Sequence, residues 1–443
     1  MKEFLNKLIF SKGLFGGTIW SAIGLLLNSI FYFLFLSFSG KALGADGVGI
    51  LGVFYSFYML ISFFLGSGFR DYIVRRISEL KAKNEYKKVK DLIDETLTYL
   101  FFLFVISLLL FLTLKGFLLK RVFNQSFFLF ISSFLCLFFF TTTIVGRGFL
   151  IGKKIFSVFS FLIFLRGLFF LFFGIFLYVK RLQKIEYFIY PHIFAEFSNF
   201  LFFVLYFAYL KRSFIFKINF EFLKHGIFSM SFSNTIFQSF FNYPILLLKF
   251  KNVPESLIGN FTAEISLFQA LRIFFASYFI PVYPHISSSY YEGKKKKFKR
   301  TIYISFILIL VLISIFTLFV LLLGKEFLYL FFPKKNFVFY EKEFLLLSFA
   351  LALHLISRLY SRIFFAIQEE KIVFKTILFW LLIFTIPYVI VRSKDEIFLM
   401  LFLLNFSTVI ISLIFALFFI KIFNSKGSIP GTKIKEKKNE DIC

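Results

Sequence analysis

Twelve long apolar runs follow one another along the chain and constrain its fold more than any other feature. Each run is about as long as the roughly 20 residues that an α-helix needs to cross a bilayer. Lipid cannot satisfy the hydrogen bonds of an open sheet edge, so each run is predicted to be helical. We expect an all-α integral membrane protein with about 12 transmembrane helices. The predicted spans are 14–39, 47–69, 96–114, 126–146, 155–179, 187–210, 227–250, 258–287, 301–323, 343–367, 372–391 and 397–420.

The composition agrees with a protein of the bilayer. The 443 residues are 59% hydrophobic and 17% charged, whereas soluble domains are about 45–50% apolar and about 25% charged. A net charge of +27 would indicate nucleic acid in a soluble protein. Here most Lys and Arg lie in short segments between apolar runs, so we expect membrane lipid as their partner and no nucleic acid. Cys136 and Cys443 alone provide no disulfide framework and no CxxC metal site.

Alternate connections between the spans carry dense positive charge, and this sets the expected orientation. Short loops rich in Lys and Arg are cytoplasmic in most membrane proteins. We therefore expect a multi-pass protein of the cytoplasmic (inner) membrane with both termini cytoplasmic, as an even number of spans requires. The opposite loops are short, so function is expected within the membrane or at its faces. The basic segments are 70–90, 147–154, 211–224, 294–300 and 421–438.

The two parts of the chain on either side of residue 215 look related. A Gly-containing segment that begins at Leu43 opens the second span, and one that begins at Leu257 opens the eighth. Each continues as an aromatic-rich run and ends in a basic segment. This predicts two six-helix bundles, 1–215 and 216–420, followed by a basic cytoplasmic tail, 421–443. Bundles in the same orientation are parallel repeats around a central cleft, as in alternating-access transporters; chance similarity between two apolar helices is the alternative.

Polar and charged residues form stripes on four of the predicted helices. A charge in hydrocarbon costs roughly 2.5–3.5 kcal/mol on insertion scales, so these residues are expected to face a cavity or a partner. Arginine stays ionised and binds phosphate oxygens in pairs, which favours a polyanionic substrate. The stripes are His192, Glu196 and Asn199; Asn234, Gln238 and Asn242; Asn260, Glu264 and Arg272; and His354, Arg358 and Arg362.

Each stripe also has a purely structural interpretation. The amides are able to hydrogen-bond neighbouring helices without touching any substrate. Glu196 is able simply to form an ion pair with Arg166, and Glu264 with Arg272. Arg362 lies near a predicted helix end, where a long side chain reaches the interface.

No catalytic signature is present in the sequence. We find no Walker A loop, no HExxH, no G-x-S-x-G and no GxGxxG, so we expect a protein that is not an enzyme. The four histidines are scattered, which indicates structural roles more than proton transfer. Without an ATPase motif, active transport would draw on an ion gradient or the membrane potential. We expect no bound cofactor, with H⁺ or Na⁺ as the coupling ion if one is used, and Glu196 and Glu264 as its candidate sites.

Two stretches carry a resemblance to a known family. The segment 43–91 has the sequence Leu-Gly-Ala-Asp-Gly-Val-Gly-Ile, an aromatic helix, and then Gly66-Ser-Gly-Phe-Arg70 before a basic segment. The segment 258–299 contains Ile-Gly-Asn-Phe-Thr-Ala and then Ile280-Pro-Val-Tyr-Pro-His-Ile-Ser-Ser. Both resemble the polysaccharide exporters of the multidrug/oligosaccharidyl-lipid/polysaccharide (MATE-like) superfamily, a branch that includes Wzx-type O-antigen flippases.

This resemblance implies two six-helix bundles around a V-shaped cationic cavity. It also implies translocation of an undecaprenyl-pyrophosphate-linked oligosaccharide for O-antigen, capsule or exopolysaccharide synthesis. The hypothesis is that arginines bind the head group while the polyprenyl tail stays in lipid, with polysaccharide polymerase machinery as a further partner. The candidate substrate-binding residues are Arg70, Arg166, Arg272, Arg358, Arg362, Asn234, Gln238 and Asn242.

Three other functions compete with this hypothesis. An ion-coupled multidrug or cation antiporter of the same superfamily predicts a cavity dominated by carboxylates. A membrane glycosyltransferase, polymerase or ligase would need carboxylates near the outer face and usually a large outer loop. A scaffold without transport would not need charges inside its spans.

Overall fold

The computed structural model describes residues 14–82, 88–210, 227–291, 295–334, 336–367, 369–393 and 395–425. Within these ranges every regular element is an α-helix, as the apolar runs predict. We call α1–α6 the N-terminal half and α7–α13 the C-terminal half, by chain position alone. The helices are α1 (Leu14–Ala82), α2 (Lys88–Thr113), α3 (Lys115–Arg121), α4 (Phe127–Gly152), α5 (Phe156–Val179), α6 (Ile185–Leu210), α7 (Ile227–Gln238), α8 (Asn242–Phe250), α9 (Glu255–Tyr291), α10 (Lys295–Phe331), α11 (Glu341–Ala366), α12 (Glu370–Ile390) and α13 (Glu396–Ser425).

Helix α1 is a hairpin of two helical legs. Gly44 has a φ of 73° and ψ of −170°, a backbone conformation that only glycine adopts without strain. The chain reverses there, because Tyr32 of the first leg stacks on Tyr55 of the second with 4.7 Å between ring centroids. The legs, 14–43 and 45–82, correspond to the first two predicted spans.

The outward faces of the helices are apolar. On α10, for example, Leu322 is 69% exposed and Leu330 is 75% exposed. Contiguous apolar surface of this extent does not suit water, whereas lipid accommodates it. Within the described ranges nine helices are long and apolar enough to cross a membrane, and α1 counts once among them. The total of twelve crossings stays a prediction.

The seventh predicted span is interrupted. Helix α7 ends at Gln238 and α8 begins at Asn242, although the sequence predicts one continuous run over 227–250. Pro244 has no N–H, and its ring crowds the carbonyl of the residue four positions earlier, which loosens the preceding turn. The predicted stripe of three amides therefore does not lie on one straight helix.

Several segments predicted as loops are helical. Helix α1 continues to Ala82 because Ile73, Ile77 and Leu80 bury a regular apolar face. Helix α4 likewise runs to Gly152 and α10 runs to Phe331. The predicted boundary at residue 215 and most of the tail, 426–443, lie outside the described residues. The division into two bundles therefore stays a prediction.

The second leg of α1 joins the two halves at both ends. Beside Gly44, Gly49 packs against the backbone of Glu255, and Gly259 packs against the backbone of Ala45 so closely that a Cβ atom would collide. We call this region the Gly44 end. At the other end, which we call the basic end, the Gly68 N–H donates to Ser231 Oγ of α7 at 3.0 Å.

Candidate functional site

A cavity of about 140 Å³ lies between the two halves. Among the described residues, its wall combines aromatic and aliphatic side chains with six arginines and one carboxylate, that of Asp71. Three of the arginines come from each half, whereas the polar stripes predicted a cavity mostly in the C-terminal half. The cavity is smaller than the about 300–1,000 Å³ of typical small-molecule sites. The six arginines are Arg70, Arg147, Arg166, Arg272, Arg358 and Arg362.

Asp71 lies at the centre of a polar network that links the halves. Arg70 Nε donates to Asp71 Oδ1 at 2.8 Å. From the C-terminal half, Arg362 Nη1 donates to Oδ2 at 2.9 Å and Asn234 Nδ2 donates to the same oxygen at 2.7 Å. Asn234 Oδ1 in turn accepts a hydrogen bond from Arg358 Nη1 at 3.0 Å. Three arginines are thus arranged around a single buried carboxylate.

A second buried ion pair lies wholly within the N-terminal half. Arg166 Nε donates to Glu196 Oε1 at 2.7 Å, and Arg166 Nη2 lies 2.6 Å from the same oxygen. The Tyr58 hydroxyl joins this pair to His192, with 3.1 Å between Tyr58 Oη and His192 Nδ1. Of the two ion pairs that the sequence allowed, Arg166 with Glu196 is therefore formed. The charge of Arg166 is largely satisfied by protein, which leaves it less able to bind a ligand.

Other guanidinium groups retain hydrogen-bonding capacity. Arg272 Nη1 lies 3.4 Å from Gln238 Oε1, and its Nε has no partner among the described residues. In the same part of the chain, Arg358 Nη2 and Arg362 Nε are buried without a partner, as are Arg147 Nε and Nη2. A buried N–H without an acceptor costs about 1–3 kcal/mol. An anion in the cavity would relieve that cost at several atoms together.

The predicted amide stripe divides among three environments. Asn234 belongs to the Asp71 network, and Gln238 lines the cavity beside Arg272. Asn242 lies beyond the interruption and accepts a hydrogen bond from Gln269 Nε2 at 2.6 Å. Asn242 is not among the cavity-lining residues, so its observed role is the contact between α8 and α9 that the structural interpretation allowed.

Glu264 lies away from the cavity and does not pair with Arg272. Its side chain is fully buried, and it interacts with the carboxyl group of Glu343 and the backbone of Tyr340. The charged group that acts on it is Glu343, another carboxylate. In the same part of the interface between α9 and α11, Phe268 packs against Phe344 with 6.1 Å between ring centroids.

Sequence reasoning missed two residues of the site. It assigned Asp71 and Arg147 to basic loops, whereas both lie on helices and line the cavity. In each case the nearby sequence indicates that the helix continues, because apolar residues at helical spacing follow the charged residue. Ile73 and Ile77 extend the first helix beyond Asp71, and 149–151 extend the second beyond Arg147.

The described part of the chain contains no group of three or more His, Cys, Asp or Glu side chains that could hold a metal ion. Of the histidines, His192 and His354 are buried among aromatic rings, and His354 lies 4.3 Å from the ring centroid of Phe240. These environments suit neutral imidazoles that contribute to packing.

The chain matches the sequence profile of a known protein family. The sequence profile of the family described as "Polysaccharide biosynthesis protein" matches residues 14–290, which is more than half of the chain. The chain belongs to this family. No curated protein matches the chain significantly.

Solved structures show that this family member has the fold of MATE transporters. A crystal structure of a MATE protein in complex with MaD3S matches with a TM-score of 0.67 at 15% identity, covering 95% of this chain and 99% of that one. An outward-facing MATE transporter of the MOP superfamily matches with a TM-score of 0.66 at 16% identity, covering 93% and 97%. An inward-facing one matches with 0.64 at 14%, covering 92% and 99%. The resemblance predicted from the two sequence stretches is therefore confirmed.

Proposed function

We propose that this protein is a flippase that moves an undecaprenyl-pyrophosphate-linked oligosaccharide across the cytoplasmic membrane by alternating access. The observation that carries the proposal is the cavity between the halves, where, in the described part of the chain, six arginines face two acidic side chains, Asp71 on the wall and Glu196 behind Arg166. The family and the transporter fold support transport rather than catalysis. A cation antiporter would require the opposite balance of charge.

The cavity chemistry suits a pyrophosphate group. Guanidinium N–H groups bind phosphate oxygens in pairs, and these charge-assisted bonds are stronger in a poorly hydrated cavity than in water. Arg147, Arg272 and Arg358 are the best placed, because each has a buried nitrogen without a partner among the described residues and, unlike Arg362, none of them donates to Asp71. Tyr55 and Gln238 on the same wall offer a ring face and an amide to sugar hydroxyls. The polyprenyl chain stays in lipid, and the halves must part to admit the glycan.

The proposed orientation places the basic end in the cytoplasm, together with both termini. It rests on the Lys and Arg of segments such as 294–300 and on the preference of such segments for the cytoplasmic side. Green fluorescent protein fused to the C-terminus should fluoresce, and alkaline phosphatase fused there should be inactive. An active phosphatase fusion would reverse the assignment.

Glu264 is the better of the two candidate sites for a coupling ion. Glu196 already has a counter-ion in Arg166, whereas Glu264 is buried beside another carboxylate. A buried carboxylate without a positive partner must take up a proton or a cation. We expect Glu264→Gln to make transport insensitive to dissipation of the H⁺ or Na⁺ gradient. The measurement is transport into vesicles with ionophores, and unchanged ionophore sensitivity would rule out this role.

The decisive test of the proposed function is the fate of the lipid-linked glycan. Deleting the gene should cause lipid-linked oligosaccharide to accumulate on the cytoplasmic leaflet. We expect Arg272→Ala to fail to complement the deletion, while Arg300→Ala, an exposed arginine at the basic end, complements normally. Immunoblots of membrane fractions check that both variants insert. Normal complementation by Arg272→Ala would exclude this residue from the site.

The rival functions give different results in the same strain. A multidrug or cation antiporter predicts that the deletion sensitises cells to cationic drugs while surface polysaccharide stays normal. A glycosyltransferase or polymerase predicts that unpolymerised units reach the outer leaflet, because translocation itself would be intact. We expect the polysaccharide polymerase machinery to act after this protein, on the flipped lipid-linked unit.

A further inference from the structure

We propose that Asp71 is an internal counter-ion that the anionic head group displaces, and that this exchange releases the contact between the halves at the basic end. The inference rests on the proposed function, since it presupposes an anionic substrate in the arginine-lined cavity. It assigns Asp71 a positioning role that couples ligand binding to the separation of the halves.

The geometry of Asp71 is that of a bound anion. Its carboxylate accepts hydrogen bonds from Arg70 on one oxygen and from Arg362 and Asn234 on the other, all between 2.7 and 2.9 Å. Arg358 is attached through Asn234. Asp71 is only 3% exposed, and it is the one acidic residue that lines the cavity in the described part of the chain. The carboxylate thus occupies a place that a phosphate group would fill with the same donors.

The donors around Asp71 are not saturated by it. Arg362 Nε and Arg358 Nη2 are buried and lack a partner among the described residues. A carboxylate has two oxygens and a single charge, whereas pyrophosphate carries more of both. The incoming anion is therefore able to satisfy the N–H groups that Asp71 holds together with those that it leaves unpaired. Because pyrophosphate satisfies more N–H groups than Asp71 does, replacement of the carboxylate by the ligand is favourable.

The network joins residues of both halves. Replacement of Asp71 by the ligand would therefore loosen the contact between the halves. Asp71 and Arg70 lie on the second leg of α1, Asn234 lies on α7, and Arg362 lies on α11. Nearby, Ser67 Oγ lies 3.5 Å from the backbone oxygen of Ser231. Once the arginines of the C-terminal half hold the ligand, Asp71 no longer ties α1 to α7 and α11.

The other buried ion pair of the cavity offers a contrast. Arg166 and Glu196 both belong to the N-terminal half. Displacing Glu196 would free an arginine without breaking any contact between halves. Of these two ion pairs, only that of Asp71 is placed to couple ligand binding to movement of the halves.

The first experiment measures binding of inorganic pyrophosphate to the purified full-length protein by isothermal titration calorimetry. We expect Asp71→Asn to bind pyrophosphate roughly tenfold more tightly than the wild type, because the competing charge is gone. The matched control is Asp46→Asn, which makes the same change of charge at an exposed position near Gly44 and should bind as the wild type does. Affinity of Asp71→Asn equal to or weaker than that of Asp46→Asn would overturn the inference.

The second experiment measures movement and does not depend on a folded Asp71 variant. Ser67→Cys and Ser231→Cys are combined in a Cys443→Ser background, and the rate of oxidative cross-linking is followed with and without pyrophosphate. We expect pyrophosphate to slow cross-linking, and polyprenyl pyrophosphate in liposomes to do the same, whereas inorganic phosphate at equal concentration has less effect. Pyrophosphate binding with an unchanged cross-linking rate would overturn the inference.

The two proposals fail separately. If Asp71→Asn gains no affinity but the deletion strain accumulates lipid-linked glycan, Asp71 is a structural residue in a genuine flippase. If Asp71→Asn gains affinity for pyrophosphate but the deletion strain flips its glycan normally, the exchange exists and the proposed substrate is wrong.

Discussion

At the scale of single residues, the surroundings of each buried charge decide its role. Arg166 is matched by Glu196, Asp71 is shared among arginines, and Arg147 has two buried nitrogens without a described partner. These three states have different energetic consequences. A matched pair contributes to the fold, and removing one member leaves the other charge uncompensated. An unmatched arginine costs stability and is retained most simply because a ligand needs it.

The Arg166–Glu196 pair provides a test of this distinction. We expect Glu196→Gln to lower stability by about 3–5 kcal/mol, because it leaves Arg166 buried without a counter-ion. The double variant Arg166→Gln/Glu196→Gln should recover part of that loss. Thermal unfolding of the two single variants, Glu196→Gln and Arg166→Gln, and of the double variant measures the coupling. Additive effects of the two single changes would mean that the pair is not a unit.

Arg147 should behave in the opposite way. Since its Nε and Nη2 make no described hydrogen bond, we expect Arg147→Ala to leave the melting temperature unchanged or slightly higher. Transport of the lipid-linked glycan should nevertheless fall, and Arg147→Lys should restore it in part because charge is kept while bidentate geometry is lost. A large loss of stability in Arg147→Ala would instead indicate a structural role.

At the scale of helices, close approach between α1 and α9 depends on glycine. A Cβ at Gly259 would collide with the carbonyl of Ala45, and the backbone at that point has no room to yield without separating the helices. Small residues of this kind are what allow membrane helices to pack closely. The glycines near residues 43 and 257, which the sequence singled out as a repeat, therefore meet each other at the contact between the halves.

This contact can be tested with a matched pair of glycine substitutions. We expect Gly259→Ala to destabilise the protein by roughly 1–3 kcal/mol through overpacking. Gly116→Ala is the control, since a Cβ there meets nothing within 4 Å and alanine favours a helix. Melting temperatures of the two purified variants provide the comparison. Equal changes in melting temperature would show that α1 and α9 leave room for a Cβ at Gly259.

At the scale of the whole molecule, the halves are tied at two opposite ends. The Gly44 end adds a polar cluster to the glycine contact. There Lys249 Nζ donates to Asn124 Oδ1 at 2.6 Å and also pairs with Glu255, while Asn124 Nδ2 donates to Glu255 Oε1 at 3.2 Å. Alternating access requires each end to open in turn, so neither tie is permanent under the proposed function.

Locking the Gly44 end should therefore stop transport. We expect the variant Asn124→Cys/Glu255→Cys, bridged by a short thiol-reactive cross-linker, to lose export of the lipid-linked glycan while still binding pyrophosphate. Each single cysteine variant treated in the same way should retain transport, as should the double variant with a cleavable cross-linker after reduction. Full activity of the cross-linked protein would exclude opening at this end.

The sequence alone determined that this protein lies in a lipid bilayer and that most of it is helical. Apolar runs as long as a bilayer is thick specify helices in lipid, because that requirement acts on each segment separately. The arginines of the eighth and tenth spans were visible for the same reason, since any charge inside such a run stands out. Two short motifs near Leu43 and Leu257 were enough to indicate the superfamily, because they encode the close helix contact.

Only the tertiary structure decided which of these charges are available to a ligand. Asp71 meets Asn234 from 163 positions away and Arg362 from 291 positions away, and no local pattern specifies such partners. The same holds for Arg272, whose polar neighbour is Gln238 and not Glu264. A charge is matched or left free by the helices that pack around it, and that packing exists only once both halves have come together.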